Sequence, residues 1–412
     1  MKQHPSEDRR CSILAIGSNL VHSGFSRVMR SVLGQLKCWY DIHYIGIAYK
    51  GPVVTEAGLT LYPSNLKGGD VWGVYQGKDA IATLKPDIVF LMNDFWMLPQ
   101  YLKAFEPYRH QFKLIAYVPV DGKLPDDQWV QSLQSVDRFA VYSQFGKAEV
   151  EQSVARLAQA GIRCQFQTVD AIPLGVDTTA FYPLSGSVEA QFAPPGRLPA
   201  KQQLFPDEPD LADAFWVLNA NRPQPRKRID LTLKSFALFA REKPANVKLY
   251  LHHAIMNAEE RQDIVNQAEQ LGILDRLQLS PVMDGRDRIT DDDLNLIYNA
   301  CDVGINTAMG EGWGLVSLEH AATGAAQIVP KHSACSEIWT GAAALLDPTQ
   351  HYVPPFSPLE MAEIDPNQAA ETLERLYCDR THRQTLSIAA HRTATQPHYR
   401  WDRIAQQWHQ LL

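Results

Sequence analysis

Two doubly wound α/β domains are the fold class that this sequence predicts, on three observations. Short apolar runs, hydrophobic throughout rather than alternating, recur in both halves of the chain. Segments with the 3.6-residue spacing of amphipathic helices lie between them, and one stretch, residues 183–214, carries neither pattern and interrupts the rhythm. Continuous apolar runs suit strands buried on both faces of a parallel sheet, and their alternation with helices suits doubly wound domains.

In chain order, the first half offers strands at SILAIG (12–17), IHYIGIA (42–48), DIVFLM (87–92), KLIAYVPV (113–120) and RFAVYS (138–143). Helices are expected at 25–36 and 145–161, the latter stopped by Gly161. Residues 183–214, rich in Pro, Ala and Gly, read as linker plus surface insertion. The pattern then restarts with FWVLN (215–219), VKLYLH (247–252), RLQLS (276–280), DVGIN (302–306), AAQIVP (325–330) and AAALLD (342–347), with helices at 230–243 and 260–272. The expected domains are 1–182, completed by 396–412, and 215–395. In open α/β sheets ligands bind outside the carboxyl ends of the strands, so two such domains offer two sets of strand ends to a donor and an acceptor.

Composition excludes several classes. At 45% hydrophobic and 21% charged residues the chain is globular rather than disordered. A net charge of −7, with the acidic excess beyond residue 180, disfavours nucleic acid as a partner. It equally disfavours docking on an anionic membrane, although a local basic patch leaves peripheral association open. No window approaches the roughly 18 apolar residues of a membrane span, and the N-terminus lacks the long apolar region of a signal peptide, so a cytoplasmic location is expected. The six cysteines, at 11, 38, 164, 301, 335 and 378, form no C-x-x-C pair and read as buried free thiols.

Chemistry concentrates in two stretches. In GEGWGLVSLEHAATGAAQIVP (310–330), just past an apolar run, Gly310, Gly312 and Gly314 permit a tight turn and close approach to a ligand. The helix expected from Leu315 would present free N–H groups and a positive dipole end to a diphosphate. Glu319, one turn in, suits a ribose diol, and Glu311 suits a sugar; the alternative is a plain strand–turn–helix with solvated glutamates. In NANRPQPRKRIDLTLKSF (219–236), Arg222, Arg226, Lys227 and Arg228 crowd behind FWVLN. Arginine forks match phosphate oxygens and lysine adds a point charge; the alternative is a solvated basic turn.

These segments resemble the retaining family-4 glycosyltransferases of the GT-B fold, the glycosyl transferases group 1. Residues 310–330 resemble that family's E-x7-E segment, and NRPQPRKRIDLTLKSF resembles its GRLxxxKGxDLLLxAF, with Arg222 and Lys227 at matching spacing. IPLGVDTTAFYP (172–183), HSGFSRV (22–28), DDDLNLIYNACDVGIN (291–306) and YRWDRIAQQW (399–408) are similar to further segments of the family, in the same order along the chain. The resemblance implies two Rossmann-like domains facing across a cleft, with a C-terminal helix crossing back to the first. It implies Arg222 and Lys227 on the donor diphosphate, Glu311 toward the donor sugar, and Gly312, Trp313, Gly314 and Leu315 as backbone donors. Glu319 would hold the ribose, and Gly24 and Phe25 would close over the phosphates from the first domain. The first loop departs from the family in having one glycine where two are common. YVPVDGKLP (117–125) lacks the His often found there, leaving Asp121 as the candidate polar group, or as a turn residue before Gly122.

The expected function is therefore transfer of a sugar from a nucleotide diphosphate sugar to an unidentified acceptor, with retention of anomeric configuration, no metal and no cofactor. A nucleotide-sugar epimerase and a non-catalytic nucleotide-sugar-binding protein remain as alternatives. Asp291–Asp293 contains a DxD but reads as acids in a first helical turn. His252-His253 has no further ligand near in sequence, and the aromatics of 93–105 read as helix packing rather than an acceptor grip.

Overall fold

The computed structural model describes residues 10–20, 23–65, 67–166, 168–252, 258–280 and 289–412. His22 of the first resembling loop and His253 lie outside them. The chain divides into two units. The first comprises residues up to Val120, Leu124–Leu174 and Trp401–Leu412; the second comprises Asp121–Lys123 and Gly175–Arg400.

The first unit is built on eight strands: β1 (Ser12–Ser18), β2 (Asp41–Ile47), β3 (Val54–Glu56), β4 (Leu59–Pro63), β5 (Ile88–Met92), β6 (Lys113–Val118), β7 (Arg138–Val141) and β8 (Val169–Ala171). Their order is β3-β4-β2-β1-β5-β6-β7-β8, parallel except for β3, which runs antiparallel to β4. The five apolar runs predicted here are its central strands, and β5 is buried at every position. Strands β3, β4 and β8, at or next to the sheet edges, were not legible because their residues, Val169 apart, are exposed or half-buried and lack a continuous apolar run. The helix Gly24–Leu36 buries Val28, Met29, Val32, Leu33 and Leu36, one stripe at helical spacing. The helix Gln144–Gln159 ends two residues before Gly161, whose φ of 81° lies in the left-handed region.

The last helix, Trp401–Leu411, belongs to this first unit although it follows the second in sequence. Trp408 anchors it, meeting Phe90 and Tyr117 edge-on at 5.0 and 4.8 Å. His409 stacks on Trp39 at 4.7 Å, and Lys113 Nζ donates to the final carbonyls of Leu411 and Leu412 at 3.0 and 3.1 Å. A buried aromatic of this kind stabilises by about 3–5 kcal/mol relative to alanine.

The second unit holds a parallel sheet of β9 (Phe215–Asn219), β10 (Val247–Leu251), β11 (Leu277–Leu279), β12 (Val303–Ile305), β13 (Ala326–Pro330) and β14 (Ala344–Leu346), ordered β11-β10-β9-β12-β13-β14. A hairpin, β15 (Pro348–Tyr352) with β16 (Met361–Ile364), follows. All six predicted runs are strands. The chain winds outward from β9 to β11, then returns to β12 on the other side of β9, which makes the β9/β12 boundary a topological switch point.

Three expectations need correction. Residues 183–214 are not a linker but part of the second unit, with short helices at Leu198–Leu204 and Pro209–Ala212. Buried Arg197 and Lys201 pin them: Arg197 donates to the carbonyls of Asn299 and Gly324, each at 2.8 Å, and Lys201 pairs with Asp302 at 2.9 Å. Such polar anchoring leaves no apolar periodicity to read. The boundaries move accordingly, to 174/175 and 400/401. All six cysteines are free, but only Cys301 and Cys335 are buried; Cys11, Cys38 and Cys378 are exposed.

Candidate functional site

The site residues of the second unit follow the carboxyl ends of β9, β12 and β13. Beyond β9, buried Asn219 donates through Nδ2 to Thr232 Oγ1 at 2.8 Å and accepts from the Asn221 N–H at 2.9 Å, which bends the chain off the strand. A 3-10 turn, Pro225–Lys227, brings the cations round. Arg228 then takes a left-handed conformation, φ 49°, with its guanidinium bidentate on Asp230 at 2.9 Å and also on Glu363. The Thr307 hydroxyl, just past β12, lies 3.1 and 2.9 Å from the carbonyls of Lys227 and Arg228 and fastens the two loops together.

That bracing sets Lys227 directly on Glu311. Lys227 Nζ donates to Glu311 Oε2, and both side chains are 8% exposed. Asn306 Nδ2 approaches the same carboxylate oxygen at 3.5 Å. Burial alone would raise the Glu311 pKa, but the charges of Lys227 and Arg226 outweigh it and hold the carboxyl below its ordinary range. Arg226 donates to the Gly310 carbonyl at 2.9 Å, and its Nε lies 3.3 Å from Asp121 Oδ2. The Glu311 N–H donates to the Asp121 carbonyl at 3.0 Å. The chain passes so close here that a Cβ on Gly310 would sit 2.8 Å from that oxygen. Asp121, expected in the first domain, therefore belongs to the second unit, held by Arg226 and by the Glu311 backbone.

Past Glu311, Gly312 and Trp313 are buried, and Gly314, at φ 95°, opens the helix Leu315–Ala322. A residue with Cβ is disfavoured at that angle, so a glycine is required at this N-cap. Gly314 itself has no side chain with which to cap this N-terminus. The Trp313 indole N–H is buried without a hydrogen-bond partner among the described residues, and its ring meets Tyr399 edge-on at 5.4 Å. Glu319 is buried on the same helix and accepts from the Tyr298 hydroxyl at 3.2 Å. Arg222 is half-buried; desolvation lowers its pKa, and its Nε has no partner among the described residues. A half-buried cation with a spare donor is suited to an anionic ligand.

Of the predicted residues, Asp121, Lys227 and Glu311 thus form one polar cluster through Arg226, and Gly312–Leu315 continue it in sequence. Glu319, on the helix after Gly314, and Arg222, in the loop after β9, lie outside those contacts. Gly24 and Phe25 begin the helix Gly24–Leu36 in the first unit, after β1. The sequence reading missed Asn306, His332 and Ser333. Ser333 Oγ lies 3.0 Å from the Glu311 carbonyl and 3.3 Å from its N–H, and His332 Nδ1 lies 3.0 Å from that hydroxyl. His332 Nε2 is 2.9 Å from the Ala308 carbonyl. The signal for them was position: each follows an apolar run at the same sheet edge. Ser333 also adopts φ 45°, a strained conformation for serine that such sites retain. Asp291–Asp293 form the first turn of the helix Asp291–Ala300, as read from the sequence, and a Thr290/Asp293 capping box opens it.

The family described as glycosyl transferases group 1 matches residues 201–353. The serotype-specific mannosyltransferase WbdA of Escherichia coli is 28% identical over 165 residues, which take in 40% of this chain and only 19% of that protein. Sucrose-phosphate synthase from Thermosynechococcus elongatus superposes with a TM-score of 0.71 at 16% identity, covering 98% of each chain. Anabaena HepE in complex with UDP and glucose gives 0.68 at 14% identity, covering 97% of this chain and 99% of that one. Those structures establish the GT-B fold. The family match spans strands β9 to β14, the sheet that carries Lys227 and Glu311, and in this region the chain is similar to the group 1 glycosyltransferases.

Proposed function

We propose that this protein transfers a sugar from a nucleotide diphosphate sugar, with retention at the anomeric carbon and without a metal ion. The observation that carries the reading is the buried Lys227–Glu311 pair at the β9/β12 switch point, in the same two loops that carry Arg222 and lead into the helix at Leu315. Lys227 and Arg222 would take the donor diphosphate, replacing water around the departing anion with fixed positive charge. The backbone N–H groups of Gly312–Leu315 would add donors, Glu319 would hold the ribose, and Glu311 would face the sugar. The first unit would take the acceptor.

In this reading the departing diphosphate helps to deprotonate the acceptor on the same face. The protein then supplies positioning and charge stabilisation rather than a nucleophile. Asp121 is engaged by Arg226, which suits a role in orienting the loop better than attack on carbon. Relatives differ on the donor: HepE was crystallised with UDP and glucose, whereas WbdA is a mannosyltransferase. A thermal-shift and slow-hydrolysis screen across uridine, guanosine, adenosine and thymidine diphospho-sugars tests the reading. One donor family should stabilise the protein and be hydrolysed slowly. Stabilisation without hydrolysis or transfer would favour a binding protein, and a changed sugar without acceptor would favour an epimerase.

A further inference from the structure

At the other edge of the second sheet lies a solvent-open cavity of about 380 Å³ that the donor chemistry does not use. Its lining residues Asp213 and Asp302 lie just before β9 and β12, so this is the amino edge, whereas Lys227 and Glu311 follow the carboxyl ends. Its wall combines the segment once read as linker with the helix Arg380–Ala394. Arg380 and Arg383, three residues apart, share one face of that helix. The Arg383 guanidinium sits over Phe215 and Phe192 at 5.2 and 5.9 Å, and that of Arg380 over Phe192 at 5.8 Å. Each spends one nitrogen on backbone carbonyls, Arg383 Nη1 on Leu376 and Tyr377, and Arg380 Nη2 on Phe192. Neither pairs with a carboxylate among the described residues, and their remaining N–H groups have no hydrogen-bond partner among them.

The nearby acids do not supply the missing charge. Asp302 is committed to Lys201 and to the Trp216 N–H, both at 2.9 Å, and Asp213 is exposed. Arg197, Lys201, Arg380 and Arg383 thus face two carboxylates in a cavity of a chain that is acidic overall. Burial depresses the pKa of Arg383 even with Asp302 close by, the mark of a cation short of counter-charge. Aromatic stacking holds both forks in place, so their free donors are preorganised.

We propose that this cavity binds a small phosphate-bearing anion, seated on the free guanidinium donors of Arg380 and Arg383. The chemistry is common to free phosphate and to phosphate monoesters, and calorimetry on the full chain with inorganic phosphate and with glycerol phosphate separates them by which binds more tightly. Arg380→Ala, at an exposed position, should weaken phosphate binding at least about tenfold, the scale of one charge-assisted hydrogen bond. Arg383→Gln should do the same, and Lys331→Ala, in the exposed pair with Asp347, should leave it unchanged. Absence of phosphate binding by the intact protein would overturn the proposal. So would loss in Arg222→Ala with retention in Arg380→Ala, which would place the anion in the donor site.

Discussion

Lys227 and Glu311, 84 residues apart in sequence, meet as a buried ion pair in the second unit, brought together by the loops after β9 and β12. Removing one partner strands a charge in a desolvated place, which typically costs about 3–5 kcal/mol. Lys227→Met and Glu311→Gln should each destabilise the protein substantially, and the double variant should recover much of the loss. Denaturant melts in a double-mutant cycle measure the coupling. Additive losses would mean that the pair contributes nothing as a pair.

The two glutamates should separate in binding. Glu319→Ala should weaken nucleoside diphosphate and whole donor alike, by roughly 1.5–3 kcal/mol for lost hydrogen bonds to a charged group. Glu311→Gln should spare nucleoside diphosphate affinity and depress turnover. Equal loss of affinity in both variants would undo this division.

Acid should weaken the fold through His320. It is 1% exposed, and burial pushes its pKa down to about 3, from 6.5 in the unfolded chain. Below pH 6.5 the unfolded chain gains a proton that the folded one does not, so stability is lost as pH falls through that window. Between pH 6 and pH 5 the wild type should lose about 1 kcal/mol more than His320→Phe, which keeps the stack on Tyr298. Parallel pH profiles would show that His320 titrates normally in the fold.

Activity should survive excess EDTA, and NMR of the product should show the donor's anomeric configuration. Among the described residues no three or more His, Cys, Asp or Glu side chains form a group that could hold a metal ion. Fixed cations and a helix start are sufficient in principle to balance a diphosphate. Complete inhibition relieved by Mg²⁺ or Mn²⁺, or an inverted product, would refute the respective claim.

Much of the fold was legible because its information is local. Strands buried on both faces, such as β5 and β13, write themselves as unbroken apolar runs. Edge strands such as β3 and the hairpin β15–β16 do not, since one face meets solvent. The segment 183–214 misled because its anchors, Arg197 and Lys201, are buried by hydrogen bonds to backbone carbonyls and to Asp302 rather than by an apolar stripe. In the site, Lys227 and Glu311 were legible through motif spacing. Their direct contact, the placement of Asp121 in the second unit, and the Ser333 support of Glu311 depend on tertiary approach, which no spacing encodes.

The assignment of Lys227 and Arg222 to the donor diphosphate can be tested without knowing the acceptor. Calorimetry should compare nucleoside diphosphate with nucleoside monophosphate, for the base selected in the donor screen, in the wild type, Arg222→Met and Lys227→Met. The diphosphate should bind the wild type at least about tenfold more tightly, and that advantage should collapse in both variants while monophosphate affinity holds. An unchanged diphosphate advantage in folded Arg222→Met and Lys227→Met would contradict the placement of the diphosphate on these two cations.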